Sequence, residues 1–121
     1  MNPILPECLL GYLFHQKNEI IIENFKFHKV IFNMKKRPEY KEILRKLKFS
    51  GSPINPYSET LDEALFNLQF AGALSRKNPE LVLYSTSKNF NSLYDSFIKD
   101  IDEDQLKKLD NLSQEIFRKI C

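Results

Sequence analysis

The sequence predicts a mainly α-helical chain with one small β-hairpin, an α+β arrangement that ends in two additional helices. Sixteen leucines stand against two valines, and leucine favours helices where β-branched residues favour strands. Apolar residues recur three and four apart in six separate stretches, the spacing of one helix face. Only after Gly72 do two short extended runs follow each other across a turn-forming link. At 121 residues with 42% hydrophobic side chains, the chain suits a single domain, 1–121, with an ordinary core, and general disorder is not expected.

Leu9, Leu10, Leu13 and Phe14 keep helical spacing behind Pro6, which a first turn tolerates, and predict a helix over about 6–16. Ile20-Ile21-Ile22, between Asn18 and Asn24, is short and β-branched and reads as a small strand or an extended connector. Phe27, Val30, Ile31 and Met34 predict a helix over about 25–36 that Pro38 stops. Tyr40, Ile43, Leu44 and Leu47 predict the next, over 39–48. Residues 49–57 concentrate Gly, Pro, Ser and Asn and read as a loop without secondary structure.

Thr60 to Glu63 matches a capping box, in which the Thr hydroxyl and the Glu carboxylate satisfy backbone N–H groups. Leu61, Ala64, Leu65 and Leu68 then give the stripe of a helix over 59–71, and Gly72 fits a left-handed C-terminal cap. Ala73 to Arg76 and Leu81 to Ser85 read as strands joined by the turn Lys77-Asn78-Pro79-Glu80, a hairpin over about 73–86. Phe90, Leu93, Tyr94, Phe97 and Ile98 predict a helix over 89–99. Asp102 to Gln105 offers a second capping box, opening a helix over 102–120 with Leu106, Leu109, Leu112, Ile116 and Ile120 on one face. That face serves either packing within the chain or a homodimer.

The net charge of +2 hides a split: residues 1–57 carry ten basic and five acidic side chains, and residues 58–121 eight basic and eleven acidic. Two cysteines, Cys8 and Cys121, are too few for a disulfide framework and read as the reduced thiols of a cytoplasmic protein. The apolar stretch Ile4 to Phe14 is too short for a bilayer and lacks a basic leader, so no membrane or export is expected. His15 and His28 have no metal-ligand spacing to another residue, and glycines at 11, 51 and 72 cannot make a phosphate loop. No metal, cofactor or enzymatic activity is expected.

From Leu61 to Thr86, Ala64-Leu65, Leu68, Gly72, Leu74 and Tyr84-Ser85-Thr86 fill the places of a helix followed by a hairpin ending in Tyr-x-Thr. This stretch resembles the helix-plus-wing half of a winged helix, which implies a winged-helix-like core and a partner that is either DNA or protein. The loop ending in Pro56-Tyr57-Ser58 before that helix is similar to Panacea-type antitoxin and related regulatory domains of bacteria and mobile elements. That likeness implies a non-catalytic protein that neutralises or controls another macromolecule.

Two surfaces are candidates for contact. Lys35, Lys36, Arg37, Lys41, Arg45, Lys46 and Lys48 hold seven positive charges against Glu39 and Glu42. On a continuous helix Lys41, Arg45 and Lys48 form one stripe, suited to phosphates or an acidic protein, or simply to solvent. The helix over 59–71 turns Glu59, Asp62, Glu63, Phe66, Asn67 and Phe70 outward. Phosphates would repel its carboxylates, and Asn67 and Gln69 are its only base readers. Phe66 and Phe70 either pack beneath the C-terminal helices or stand exposed as partner anchors. Arg76, Lys77 and Lys88 bracket the hairpin and could reach phosphates. The expectation is a regulatory protein that binds another protein, as an antitoxin, adaptor or antagonist; the alternative is a DNA-binding transcription regulator.

Overall fold

Helices and short strands alternate in the order α1 (Pro6–Gln16), β1 (Glu19–Ile21), α2 (Asn24–Lys36), α3 (Pro38–Lys41), β2 (Ser50–Gly51), β3 (Pro56–Tyr57), α4 (Glu59–Phe70), β4 (Leu74–Asn78), β5 (Leu83–Thr86), α5 (Phe90–Ile98) and α6 (Glu103–Ile120). The computed structural model describes residues 3–78 and 83–120, with backbone alone for Asn24, Phe25, Lys77 and Asn78. The chain is mainly helical with a small antiparallel sheet, the α+β class read from the sequence. Pro79 to Val82, expected as the hairpin turn and the start of its second strand, lie outside the described residues, as does Cys121.

α1 is the centre of the packing. Leu9 through Phe14 are all buried, so this helix is covered on every side, chiefly by α4, α5 and α6. Each such leucine or phenylalanine gains about 1.5–3 kcal/mol over its exposed state. α6 closes the far side against α2, α1 and α3, with Leu109, Leu112 and Ile116 completely shielded. The centre of the stripe over residues 102–120, Leu109, Leu112 and Ile116, is occupied within the chain, while Leu106 and Ile120 at its ends are only partly buried. Its predicted capping box is present: the Gln105 N–H donates to Asp102 Oδ1 at 2.8 Å, and the Asp102 N–H to Gln105 Oε1 at 3.2 Å.

The helix expected over 39–48 is shorter. Regular α structure stops at Lys41 and gives way to turns. The Ile4 N–H takes the Ile43 carbonyl at 3.1 Å, and the Leu47 N–H, its ordinary helical partner, moves to the Leu44 carbonyl at 3.0 Å. Tyr40, Ile43, Leu44 and Leu47 are still buried, so the apolar pattern marks the core side of this segment although the helix itself is shorter than the pattern. The segment 49–57 is not structureless either, because Ser50 and Gly51 pair with Tyr57 and Pro56.

The larger sheet has the order β1-β5-β4, all antiparallel, with Ile20 opposite Tyr84 and Ser75 opposite Ser85. It follows α4 directly. The Gly72 N–H donates to the Gln69 carbonyl at 3.0 Å and the Ala73 N–H to the Leu68 carbonyl at 2.9 Å, with Gly72 at φ 77°. These paired bonds make the Schellman cap that a glycine permits. A Cβ at this position would lie 2.8 Å from Asn89 Nδ2. Gly72→Ala is expected to cost about 1–2 kcal/mol from left-handed strain alone, read as a lower denaturant midpoint at unchanged slope. A midpoint equal to wild type would contradict the cap.

Candidate functional site

The entry to α4 is fixed by a buried cluster on α2. His28 is 1% exposed, and its Nδ1 accepts the Ser58 N–H at 2.9 Å. That acceptor role places the proton of neutral His28 on Nε2. Asp62 Oδ1 lies 3.3 Å from Nε2, in ion-pair range, but off the N–H direction, so no hydrogen bond forms there. Tyr57 stacks on the imidazole at 5.0 Å between centroids and its hydroxyl bonds Asp62. Burial lowers the His28 pKa, and the Asp62 carboxylate opposes that shift only in part.

The cap of α4 differs from the expected box at Thr60. Ser58 is the N-cap, its Oγ accepting the Leu61 N–H at 3.3 Å. Thr60 instead bonds the Ser58 hydroxyl at 2.7 Å and accepts the Lys48 N–H at 3.1 Å. The Pro56-Tyr57-Ser58 element thus docks α4 onto α2 and starts the helix. From its spacing His28 is no metal ligand but an ordinary surface or half-buried side chain, whereas it is fully buried as an acceptor; a polar residue amid the apolar positions of α2 was the available signal.

α4 buries Leu61, Ala64, Leu65 and Leu68 and presents the opposite side to solvent. Phe66 and Phe70 are 62% and 85% exposed, stacked at 6.2 Å between centroids. Of the two arrangements open from the sequence, the exposed one holds, because α5 and α6 take their main contacts from α1 and α2. Glu59 and Glu63 are exposed beside them. The candidate base readers are engaged: Asn67 Nδ2 donates to Glu7 Oε2 at 3.2 Å, and Gln69 Nε2 to the Leu65 carbonyl at 3.3 Å.

The seven clustered cations do not form the expected stripe, because α3 ends at Lys41 and Lys41, Arg45 and Lys48 leave their i, i+4, i+7 register. Lys35, Lys36 and Lys41 line a cleft with Phe32 and Phe49. Arg45, Lys46 and Lys48 line a separate groove with Glu7, Glu63 and Asn67, and Arg45 is paired with Glu42 at 3.4 Å. Arg37 stays at the surface and is neutralised there, bonding Glu39 and, at 2.7 Å, Glu115 of α6, whose Oε2 also accepts the Tyr40 hydroxyl at 2.8 Å. Arg37 and Tyr40 hold the Glu115 carboxyl below its usual pKa. Phe32 was missed; its place four residues before Lys36, the spacing for a cation over a ring on one helix face, was the signal.

On the hairpin, Arg76 is exposed, with its guanidinium 5.9 Å from the Tyr84 ring centre. The Lys77 side chain lies outside the described residues. No group of three His, Cys, Asp or Glu among the described residues could hold a metal ion, and no described helix is long and apolar enough to cross a membrane.

Fold and site together define a mainly helical α+β protein with two unlike surfaces, an aromatic face on α4 and an aromatic-basic cleft on α2. No protein-family model, curated protein or solved structure matches the chain.

Proposed function

We propose that this chain is a non-enzymatic, cytoplasmic regulatory protein that acts by binding another protein, as an antitoxin, adaptor or antagonist, through the outer face of α4. One observation carries the reading: Phe66 and Phe70 stand stacked and exposed one turn apart. Two aromatic rings held in water at a cost are the usual anchors of a protein interface. The carboxylates beside them would repel phosphates but suit a partner with basic residues around an apolar pocket.

The test is a pull-down from the native host with wild type and the Phe66→Ala, Phe70→Ala double variant, followed by titration of the purified partner. Both side chains are exposed, so the variant is expected to melt like wild type. Affinity is expected to fall by about 30-fold or more, the loss that one hot-spot residue produces. An identical set of retained proteins at equal affinity would reject α4 as the contact.

A winged-helix DNA-binding regulator is the second reading. In its favour, α4 leads straight into a hairpin whose second strand pairs with β1, the order of a winged helix. Lys41, Arg45, Lys46, Arg76 and Lys77 would then meet phosphates, with Asn67 and Gln69 near the bases. Random duplex DNA should bind with steep salt dependence that charge reversal at Lys41, Arg45 and Arg76 abolishes; absence of binding at low salt would eliminate this reading.

A further inference from the structure

The cleft on α2 pairs flat apolar surface with unneutralised positive charge. Phe32 and Phe49 meet edge to face at 5.3 Å between centroids. Lys36 Nζ stands 4.3 Å from the Phe32 centroid and Lys35 Nζ 5.8 Å from that of Phe49. With Lys41 they line an open cleft of about 450 Å³, within the size range of ordinary ligand sites. No carboxylate lines it, and among the described residues none pairs with Lys35, Lys36, Lys41 or Lys48. Lys35 is held by the Leu47 carbonyl, and burial followed by the charge of Lys48 disfavours its protonated form. An anion that also carries a flat ring would relieve that repulsion and cover the phenylalanines.

We infer that this cleft binds a nucleotide unit of single-stranded nucleic acid, its base against Phe32 and Phe49 and its phosphates on Lys35, Lys36 and Lys41. Unpaired bases expose their faces for stacking, whereas a duplex keeps them inside. A strand suits the site better than a free nucleotide because positive charge continues past the cleft: Lys48 acts on Lys35 and borders the next groove with Arg45 and Lys46, a groove that Glu7 and Glu63 line from the other elements. An acidic protein segment would satisfy the lysines and leave the rings uncovered. The cleft itself takes no residue from the α4 contact face, and only the neighbouring groove shares Glu63 with it, so the Phe32 and the Phe66, Phe70 variants can fail independently.

Fluorescence anisotropy of the full chain with a labelled single strand of about ten nucleotides tests this, since such lengths span typical single-strand sites. Binding is expected at low salt. Lys36→Ala and Lys41→Ala should each flatten the slope of log affinity against log salt by about 0.7. Phe32→Leu should weaken binding by about fivefold or more at an unchanged slope. That split separates stacking from general attraction to positive charge, and the two exposed lysines keep the test informative if Phe32→Leu melts early. Adenosine monophosphate should compete only weakly; competition equal to the strand would overturn the strand in favour of a free nucleotide. No binding at low salt, equal competition by polyglutamate, or full binding by folded Phe32→Leu would overturn the site.

Discussion

Leu112→Ala is expected to lower the unfolding free energy by about 2–5 kcal/mol, the range for a buried leucine cut to alanine. Leu112 is 0% exposed and lies between Leu109 and Ile116 on the face of α6 that covers α2, α1 and α3. The face it lies on meets three helices, and side chains of a packed core relax only partly into the space a truncation leaves. Against a total stability of about 5–15 kcal/mol, this is a fall in melting temperature on the order of 10 °C. Leu112→Met, which nearly conserves volume, should cost less than about 1.5 kcal/mol, and exposed Asn111→Ala should stay within about 0.5 kcal/mol. Thermal and urea unfolding of the three variants provide the measurement. If Leu112→Ala cost no more than Asn111→Ala, α6 would not be part of the core.

This dependence on α6 was foreseeable, because its apolar residues, acidic first turn and reciprocal Asp102–Gln105 cap are all set by local sequence. What sequence could not tell was which of its two uses the apolar face would have. That is a question of the path of α5, whose contacts with α1 turn α6 back over α2. The same path leaves Phe66 and Phe70 uncovered. Helical spacing put them on the outer face of α4, but their exposure depended on where the C-terminal helices would lie.

Local rules failed where a distant group competed for a backbone atom. The periodicity of Tyr40, Ile43, Leu44 and Leu47 is helical, yet the ladder tightens to i−3 bonding at Arg45, and the Ile4 N–H then takes the Ile43 carbonyl that Leu47 would have used. The basic stripe depended on that ladder and broke with it: Lys41 joins the aromatic cleft of α2, and Arg45 and Lys48 line a separate groove. Ser58 and Thr60 are both good N-caps by chemistry. The choice was made by His28 and by the Lys48 N–H, thirty and twelve residues away in the chain.

His28→Leu is expected to separate that choice from mere bulk. Leucine can fill much of the space but offers no acceptor, so the Ser58 N–H is left buried without a partner at a cost of about 1–3 kcal/mol. The pH dependence is the sharper readout. The His28 pKa is lowered from its ordinary 6.5, by burial first, with the charge of Asp62 acting the other way. The unfolded chain therefore takes up a proton near pH 6.5 while the folded chain still resists it. The wild type must lose stability as pH falls below that point, until the folded imidazole is protonated too. Protonation would also place an N–H on Nδ1, facing the Ser58 N–H donor, so the acid form breaks the anchor at the start of α4 and not only the desolvation balance. Urea midpoints should fall from pH 7 toward pH 5 for wild type more steeply than for His28→Leu, a window chosen above the ordinary carboxylate range of about 4. Parallel profiles for the two proteins would show that His28 is not buried as the neutral acceptor. If the profiles diverge as expected, acid should also loosen α4 before the rest of the chain. Protection of the Leu61 amide, whose N–H depends on the Ser58 cap, taken relative to its intrinsic exchange rate at each pH, would then fall at pH 5 ahead of that at Leu112.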